Sequence, residues 1–330
     1  MKTVEHTVWV VLASLFLCLF LTLCTRTPIQ AGSSEYPSRT INILVPFPPG
    51  GSTDLGARAL AESMEKHLKN PVVVVNKLGG QTTVAGYAVA SAKPDGYTLG
   101  FFPPGASIPE AYAFFQEAPY TSKDLKHICS VVAPLISVAV REDAPWKSFK
   151  ELIEYAKKNP GLKVGTGGRH TAQHMLVTTL NKTEKAGLVA VPFSGDATNL
   201  PALLGGHTSV AMMDYSALKS LVEAKKVKVL AVVSDRRADF LANVPSAVEL
   251  GYPLVYIPLL GLNGPKSLPQ EIVEKLDSLV GRICKEQDFQ TRMRNIPLQM
   301  IYENSAGYEQ VDMKYKDNIL AFFKEEGLVK

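Results

Sequence analysis

Cysteine is scarce in this chain of 330 residues: there are four, of which Cys18 and Cys24 fall in the opening apolar run and only Cys129 and Cys284 lie beyond it. Two cysteines make no disulfide framework, so stapling of a small core is excluded; two buried apolar thiols are expected, with pairing of Cys129 and Cys284 in an oxidising compartment as the alternative. Strong charge of either sign is missing as well. Lys and Arg number 35 against 31 Asp and Glu, a formal net charge of +4, which is too weak to imply nucleic acid. Beyond Thr25 no apolar run is long enough to cross a bilayer, and neither a low-complexity block nor a fixed-period repeat occurs. Catalytic signatures are also absent: there is no G-x-S-x-G elbow and no HExxH, and neither GGSTD (50–54) nor GTGGRH (165–170) ends in the Lys and Ser/Thr of a Walker loop. His170 and His174 stand four apart and would share a helix face, but without a metal-site motif they read as a loop histidine and a packed one. Neither a metal nor a cofactor is expected. A hydrolase, which needs a nucleophile with a base in reach, is kept only as an alternative because Ser, His and Asp occur near the same loops.

What is present begins with a leader. Lys2 precedes an uncharged stretch from Thr7 to Thr25, VWVVLASLFLCLFLTLC at its heart, followed by TRTPIQAGSS with Ala31 as the small residue before a cut. This is the pattern of a secretory signal over residues 1–31, with a mature chain from about Gly32. The apolar run is somewhat long for a leader, so an uncleaved anchor is the alternative. Leu23 stands where a lipoprotein signal wants a small residue before Cys24.

The rest of the chain alternates short Val- and Ile-rich runs with helical patterns. INILVPF (41–47), PVVVVN (71–76), YTLGFF (97–102), LISVAVR (135–141), LKVGTG (162–167), LVAVPF (188–193), TSVAMMD (208–214) and VKVLAVV read as strands buried on both faces. Between the first two, Leu55, Ala59, Leu60, Met64 and Leu68 put one apolar face on a helix over 53–70. Strand, helix, strand is the α/β signature, and the chain is long enough for two domains.

One loop in this series stands out. PFPPGGSTD (46–54) joins a strand to a helix at the carboxyl end of a sheet, where open α/β sheets bind ligands. Gly50 and Gly51 permit a sharp turn and close backbone approach, Ser52 or Thr53 is placed to cap the helix, and the free N–H groups at the helix start favour a carboxylate or phosphate. KVGTGGRHTAQHM (163–175) repeats those mechanics, with Arg169 and His170 adding donors. A capped turn and a solvated loop are the plainer readings of the two stretches.

Taken together, YPSRTINILVPFPPGGSTDLGARALAE, PVVVVNKLGG, AGYAVASAKPDGYTL, TAQHM, VPFSG, LLGGHTSVAMMD, KVLAVVSDRR, VPSAVELGYPL and GPKSLPQEIVEKL, in that order, resemble the solute-binding proteins of the tripartite tricarboxylate transporter, or Bug, family. The resemblance implies an α/β, two-lobed periplasmic-binding-protein fold, a flytrap with two hinge strands. Lobe 1 is expected at 36–136 and 256–330 and lobe 2 at 137–255, with LISVAVR and PLVYIPLLGL as the crossing strands. It implies ligand binding by Phe47, Gly50, Gly51, Ser52, Thr53, Asp54, Gln81 and Ser107 on the first lobe. On the second it selects His170, Thr171, Ala172, Gln173, Ser194, Gly195 and Asp214. It further implies a monomeric periplasmic receptor for a small organic carboxylate, working with a membrane permease of one large and one small subunit; a sensor docking on a signalling membrane protein is the alternative. Departures from the family pattern bear on the ligand's identity: Ser194 stands where Lys is common, His170 where a small residue is usual, and Leu78-Gly79-Gly80-Gln81 replaces a richer proline and glycine loop.

Overall fold

A computed structural model describes residues 36–113, 117–168, 171–325 and 327. The signal expected over 1–31 and the pair Arg169 and His170 therefore lie outside the described residues. Contacts set Met1–Ser38 apart from one compact body, Arg39–Lys330, and it is the body whose architecture follows.

The strands are β1 Ile41–Val45, β2 Val72–Asn76, β3 Thr98–Phe102, β4 Leu125–Ala133, β5 Ile136–Arg141, β6 Lys163–Thr166, β7 Val189–Pro192, β8 Val210–Asp214, β9 Val227–Val232, β10 Leu260–Pro265 and β11 Gln299–Met300. The helices are α1 Ser52–Leu68, α2 Thr83–Ala90, α3 Pro104–Ser107, α4 Phe149–Lys158, α5 Ala172–Glu184, α6 Asp196–Leu204, α7 Tyr215–Glu223, α8 Gln270–Ile283, α9 Gln287–Asn295 and α10 Ser305–Glu325. Two sheets result. The first runs β2-β1-β3-β10-β4-β11 and the second β9-β5-β8-β6-β7. In the first, β2, β1 and β3 are parallel and β10 lies antiparallel to β3 and β4. In the second, β7, β6 and β8 are parallel and β5 lies antiparallel to β8 and β9. Each sheet thus takes in a strand that the chain delivers directly after a crossing from the other.

The crossings are short. The chain leaves the first sheet at Ala133 and enters the second at Ile136, with only Pro134 and Leu135 between. It returns through 253–259, which pairs in neither sheet, before β10 begins at Leu260. The sequence predicts a strand over all of PLVYIPLLGL, but only its last three residues join a ladder. Pro253 and Pro258 lack the N–H that a ladder needs.

β5 shows why these apolar runs suit two-sided burial. Ile136, Val138 and Val140 join one core cluster, and Leu135 and Ala139 join another on the opposite face. Each large aliphatic side chain so buried contributes about 1.5–3 kcal/mol. Two expectations differ from the structure. VVVVN forms an edge strand, β2, on which Val73 and Val75, alternate residues sharing one face, are exposed, so this strand is not buried on both faces. On α1 the covered face is Gly56, Ala57, Leu60, Ala61 and Met64, while Leu55 is exposed. Gly56 lets the segment above pack closely: a Cβ on it would stand 2.9 Å from Leu298 Cδ1, and that side chain would have to shift. Cys129 and Cys284 are both buried and free, and burial pushes the Cys284 thiol up to about 12.

Candidate functional site

At the first loop the left-handed residue is Gly50, with φ of 89°, whereas Gly51 has an ordinary φ of −74° and is the N-cap of α1. The sequence expects Ser52 or Thr53 to cap the helix. Neither side chain does, because α1 already begins at Ser52 and a different residue folds the loop back. Asp54 is 1 % exposed, and its Oδ2 accepts from the Gly50 N–H and from Arg58 Nε, both at 2.9 Å. Its Oδ1 accepts from Asn76 Nδ2 at 2.8 Å, and the same amide donates to the Phe47 carbonyl at 2.9 Å. Burial alone would raise the Asp54 pKa, but hydrogen bonds from Arg58, Gly50 and Asn76 hold it below the usual carboxylate range. Asp54 is thereby committed to the loop. The first N–H groups of α1, which have no intrahelical acceptor, remain available to a ligand.

At the second loop, on either side of Arg169 and His170, a positive-φ glycine and a hydroxyl residue stand before a helix. Gly168, with φ of 157°, accepts at its carbonyl from the Thr171 hydroxyl at 3.0 Å, and Thr171 is the N-cap of α5. A third loop follows β3, where Pro103 precedes the short α3. Against it lie Gln81 and Thr82, both in left-handed backbone at φ of 50° and 89°, which is strained for residues carrying a Cβ.

These loops enclose a cleft of about 340 Å³. Phe47, Ser52, Thr53, Gln81, Thr82 and Tyr112 line it from the first sheet's side, together with Pro103, Pro104 and Gly105. Gln173 and Asp214 face them from the second sheet's side, and Pro134, Ile136, Tyr256, Pro258 and Leu260 close it at the crossings. Among the described lining residues Asp214 carries the one charge. Burial first, and then the neighbouring Asp196 carboxylate, raises its pKa to about 7. Asp196 in turn accepts from the Asp214 N–H at 3.0 Å.

Six of the expected residues therefore meet in the cleft: Phe47, Ser52, Thr53, Gln81, Gln173 and Asp214. Gly50 and Gly51 face a separate depression that also takes in Ser52 and reaches Asp196. Asp54 lies beneath its loop. Ser107 is buried away from the cleft, its hydroxyl donating to Asp312 Oδ2 at 2.6 Å, because the last residue of α3 points into the lobe rather than out of it. Thr171, Ala172, Ser194 and Gly195 do not line the cleft; Thr171 and Gly195 serve as N-caps of α5 and α6. A larger cavity of about 430 Å³, among Arg236, Phe240, Cys284, Arg294 and Tyr302, is bordered by none of the glycine loops.

Sequence reading missed Thr82, the Pro103–Gly105 turn, Tyr112 and Tyr256. A signal for the turn was present: FPPGAS (102–107) echoes FPPGGS (47–52), and both stand at the ends of neighbouring parallel strands. Nothing local marked the tyrosines.

Two α/β lobes joined by two crossings, with a cleft built from loops of both, define a two-lobed binding protein of the periplasmic type. The chain belongs to the tripartite tricarboxylate transporter receptor family: residues 56–327 match the model described as "Tripartite tricarboxylate transporter family receptor". A Cupriavidus necator protein, "UPF0065 protein in gbd 5'region", is 30% identical over 92% of each chain. The structure of the periplasmic binding protein BugD is 31% identical, with a TM-score of 0.68 over 89% of this chain and 99% of that one. MatC from Rhodopseudomonas palustris, solved with bound malate, is 26% identical at a TM-score of 0.68, covering 87% and 99%. The family and its neighbours are solute-binding proteins, not enzymes.

Proposed function

We propose that this protein is a periplasmic receptor that clamps a small organic carboxylate between two lobes, 36–136 with 256–330 and 137–255, and hands it to a membrane permease of one large and one small subunit. The observation that carries the reading is the cleft itself. The start of α1 opens into it beside Ser52 and Thr53, while Gln81, Thr82 and Gln173 add neutral donors. Such a set attracts an anion through N–H dipoles without a fixed countercharge. The malate in the MatC relative supports the same ligand class. Export by the 1–31 leader fits the role, and among the described residues no helix is long and apolar enough to cross a membrane. A thermal-shift screen of carboxylates, sugars and cations at millimolar concentration tests the reading. Carboxylates are expected to raise the melting temperature. A sugar that raises it while every carboxylate leaves it unmoved would overturn the ligand class.

A further inference from the structure

The larger cavity, about 430 Å³, shares no lining residue with the cleft. It lies beside the crossing at Pro134-Leu135. β4 and β5, which that crossing joins, each carry one outer strand: Gln299 of β11 pairs with Ala133, and Val232 of β9 pairs with Ser137. Arg236, Asp239 and Phe240, which follow β9, form one wall, and Lys285, Arg294 and Gln299, from the stretch between α8 and β11, form the other. Three cations thus meet one acid, and among the described residues none of the three is paired with a carboxylate. Arg294 reaches only the Thr291 hydroxyl, at 3.4 Å. Their neighbours differ: Arg237 is bonded to Glu249 and Arg292 to Glu62. Lys285 and Arg294 stand at the carboxyl ends of α8 and α9, where the helix dipole favours a cation on its own account. Arg236 has no such reason to be there, and neither has Gln299. The Gln299 amide lines the cavity, is only 7 % exposed, and among the described residues makes no hydrogen bond with its side chain. A buried amide without a partner costs free energy, so this one calls for a partner inside the cavity.

We infer that this cavity is a second binding site, for a small multiply charged oxyanion of the phosphate class, and that its occupant bridges the two walls. Two guanidinium forks match the oxygens of such a group, the Lys285 ammonium adds a point charge, and the Gln299 amide donates a further bond. A cation would be repelled, and a neutral ligand would leave the three cations without a countercharge. The volume is that of a small-molecule site and does not admit a folded segment of a partner protein. Phe240, stacked on Tyr215 with ring centroids 5.8 Å apart, and Leu298 give the site an apolar side, which suits an organic phosphate better than the bare ion. Bridging has a mechanical consequence that rests on the two-lobe reading above. With one wall on each proposed lobe, an occupant fixes their separation beside the hinge and holds the lobes at one angle.

The test is a calorimetric titration with phenyl phosphate and with pyrophosphate, and with phenol as the uncharged probe, at constant ionic strength. Wild type is expected to bind both phosphates and not phenol. Arg236→Gln and Arg294→Gln, one on each wall, should each weaken phosphate binding by about 10- to 100-fold, the worth of a hydrogen bond to a charged group, and Gln299→Met by about 10-fold. Lys158→Gln, on α4 outside the cavity, should change it by less than about twofold. Urea denaturation of each variant shows that it remains folded. Absence of phosphate binding at millimolar concentration, affinity unchanged in both arginine variants, or a loss in Lys158→Gln equal to theirs overturns the site. A loss in Arg294→Gln with Arg236→Gln unaffected overturns the bridging. The carboxylate screen has no bearing on these outcomes, because the two cavities share no residue.

Discussion

Asp54 illustrates how much a single side chain does at the candidate site. Its two oxygens tie Gly50, Arg58 and Asn76 into one loop, and through Asn76 they reach the Phe47 carbonyl. Removing it in Asp54→Ala orphans these donors, so urea denaturation should show a loss of about 1–3 kcal/mol, with ligand affinity reduced as the α1 loop loosens. The two glycines beside it should separate. Gly50→Val places a branched side chain at a φ of 89° and should cost about 1–2 kcal/mol or more in stability. At Gly51 a Cβ meets nothing closer than the Pro48 carbonyl at 3.9 Å, so Gly51→Val should fold normally and reveal in a binding titration whether ligand approaches that backbone. Asp214 supplies a pH dependence. Burial and Asp196 raise its pKa from 3.8 to about 7, so its contribution to stability is fully present below pH 4 and is lost as pH rises through 7. Asp214→Asn should therefore raise the melting temperature most at pH 8, by less at pH 5 and least below pH 4; an equal shift at every pH would show that ionisation is not the cause.

At the scale of elements, α10 acts as a strut beneath the cleft. Asp312 on this helix accepts from the Ser107 hydroxyl at 2.6 Å and meets His127 Nε2 of β4 at 3.0 Å, and all three side chains are buried. Tyr315, three residues on, holds Tyr112 and Tyr256. One helix face therefore secures both the turn after β3 and the return crossing. Asp312→Ala deprives the buried His127 ring of its partner and leaves the Ser107 hydroxyl only the Pro103 carbonyl at 3.4 Å, and should cost about 1–3 kcal/mol, read as a lower urea midpoint with an unchanged slope. This network also accounts for β4. His127 and Ser130 interrupt its apolar run, so LKHICSVVA does not read as a strand in the sequence, yet it is the longest in the fold and buried along nearly its whole length. Its polar residues are tolerated because they are bonded: Ser130 donates to the Ile301 carbonyl at 2.8 Å.

For the whole molecule, the two thin crossings at Pro134-Leu135 and 253–259 are the natural place for the proposed lobes to rotate about one another. A ligand that touches both cleft walls binds a closed form better than an open one and shifts the population accordingly. Small-angle scattering should show a smaller radius of gyration with a saturating carboxylate than without. An unchanged radius at saturation would count against closure.

Strand, helix and glycine-loop order along the chain is dictated locally, by apolar runs, helical periodicity and residues without a Cβ, so the α/β class and both principal loops were legible in the sequence alone. Ser52 and Thr53 followed from their place at the start of the helix after β1, whereas Gln173 and Asp214 were reached only through the family resemblance. Tertiary structure alone decided which residues turn into the cleft. Ser107 stands at the same place in FPPGAS as Ser52 in FPPGGS, yet it is drawn inward by Asp312, 205 residues away. Tyr256 and Tyr315 lie 59 residues apart, and the bond between them exists only because α10 packs beside the return crossing. Contacts between distant parts of the chain depend on how the elements stack, and no local pattern encodes that.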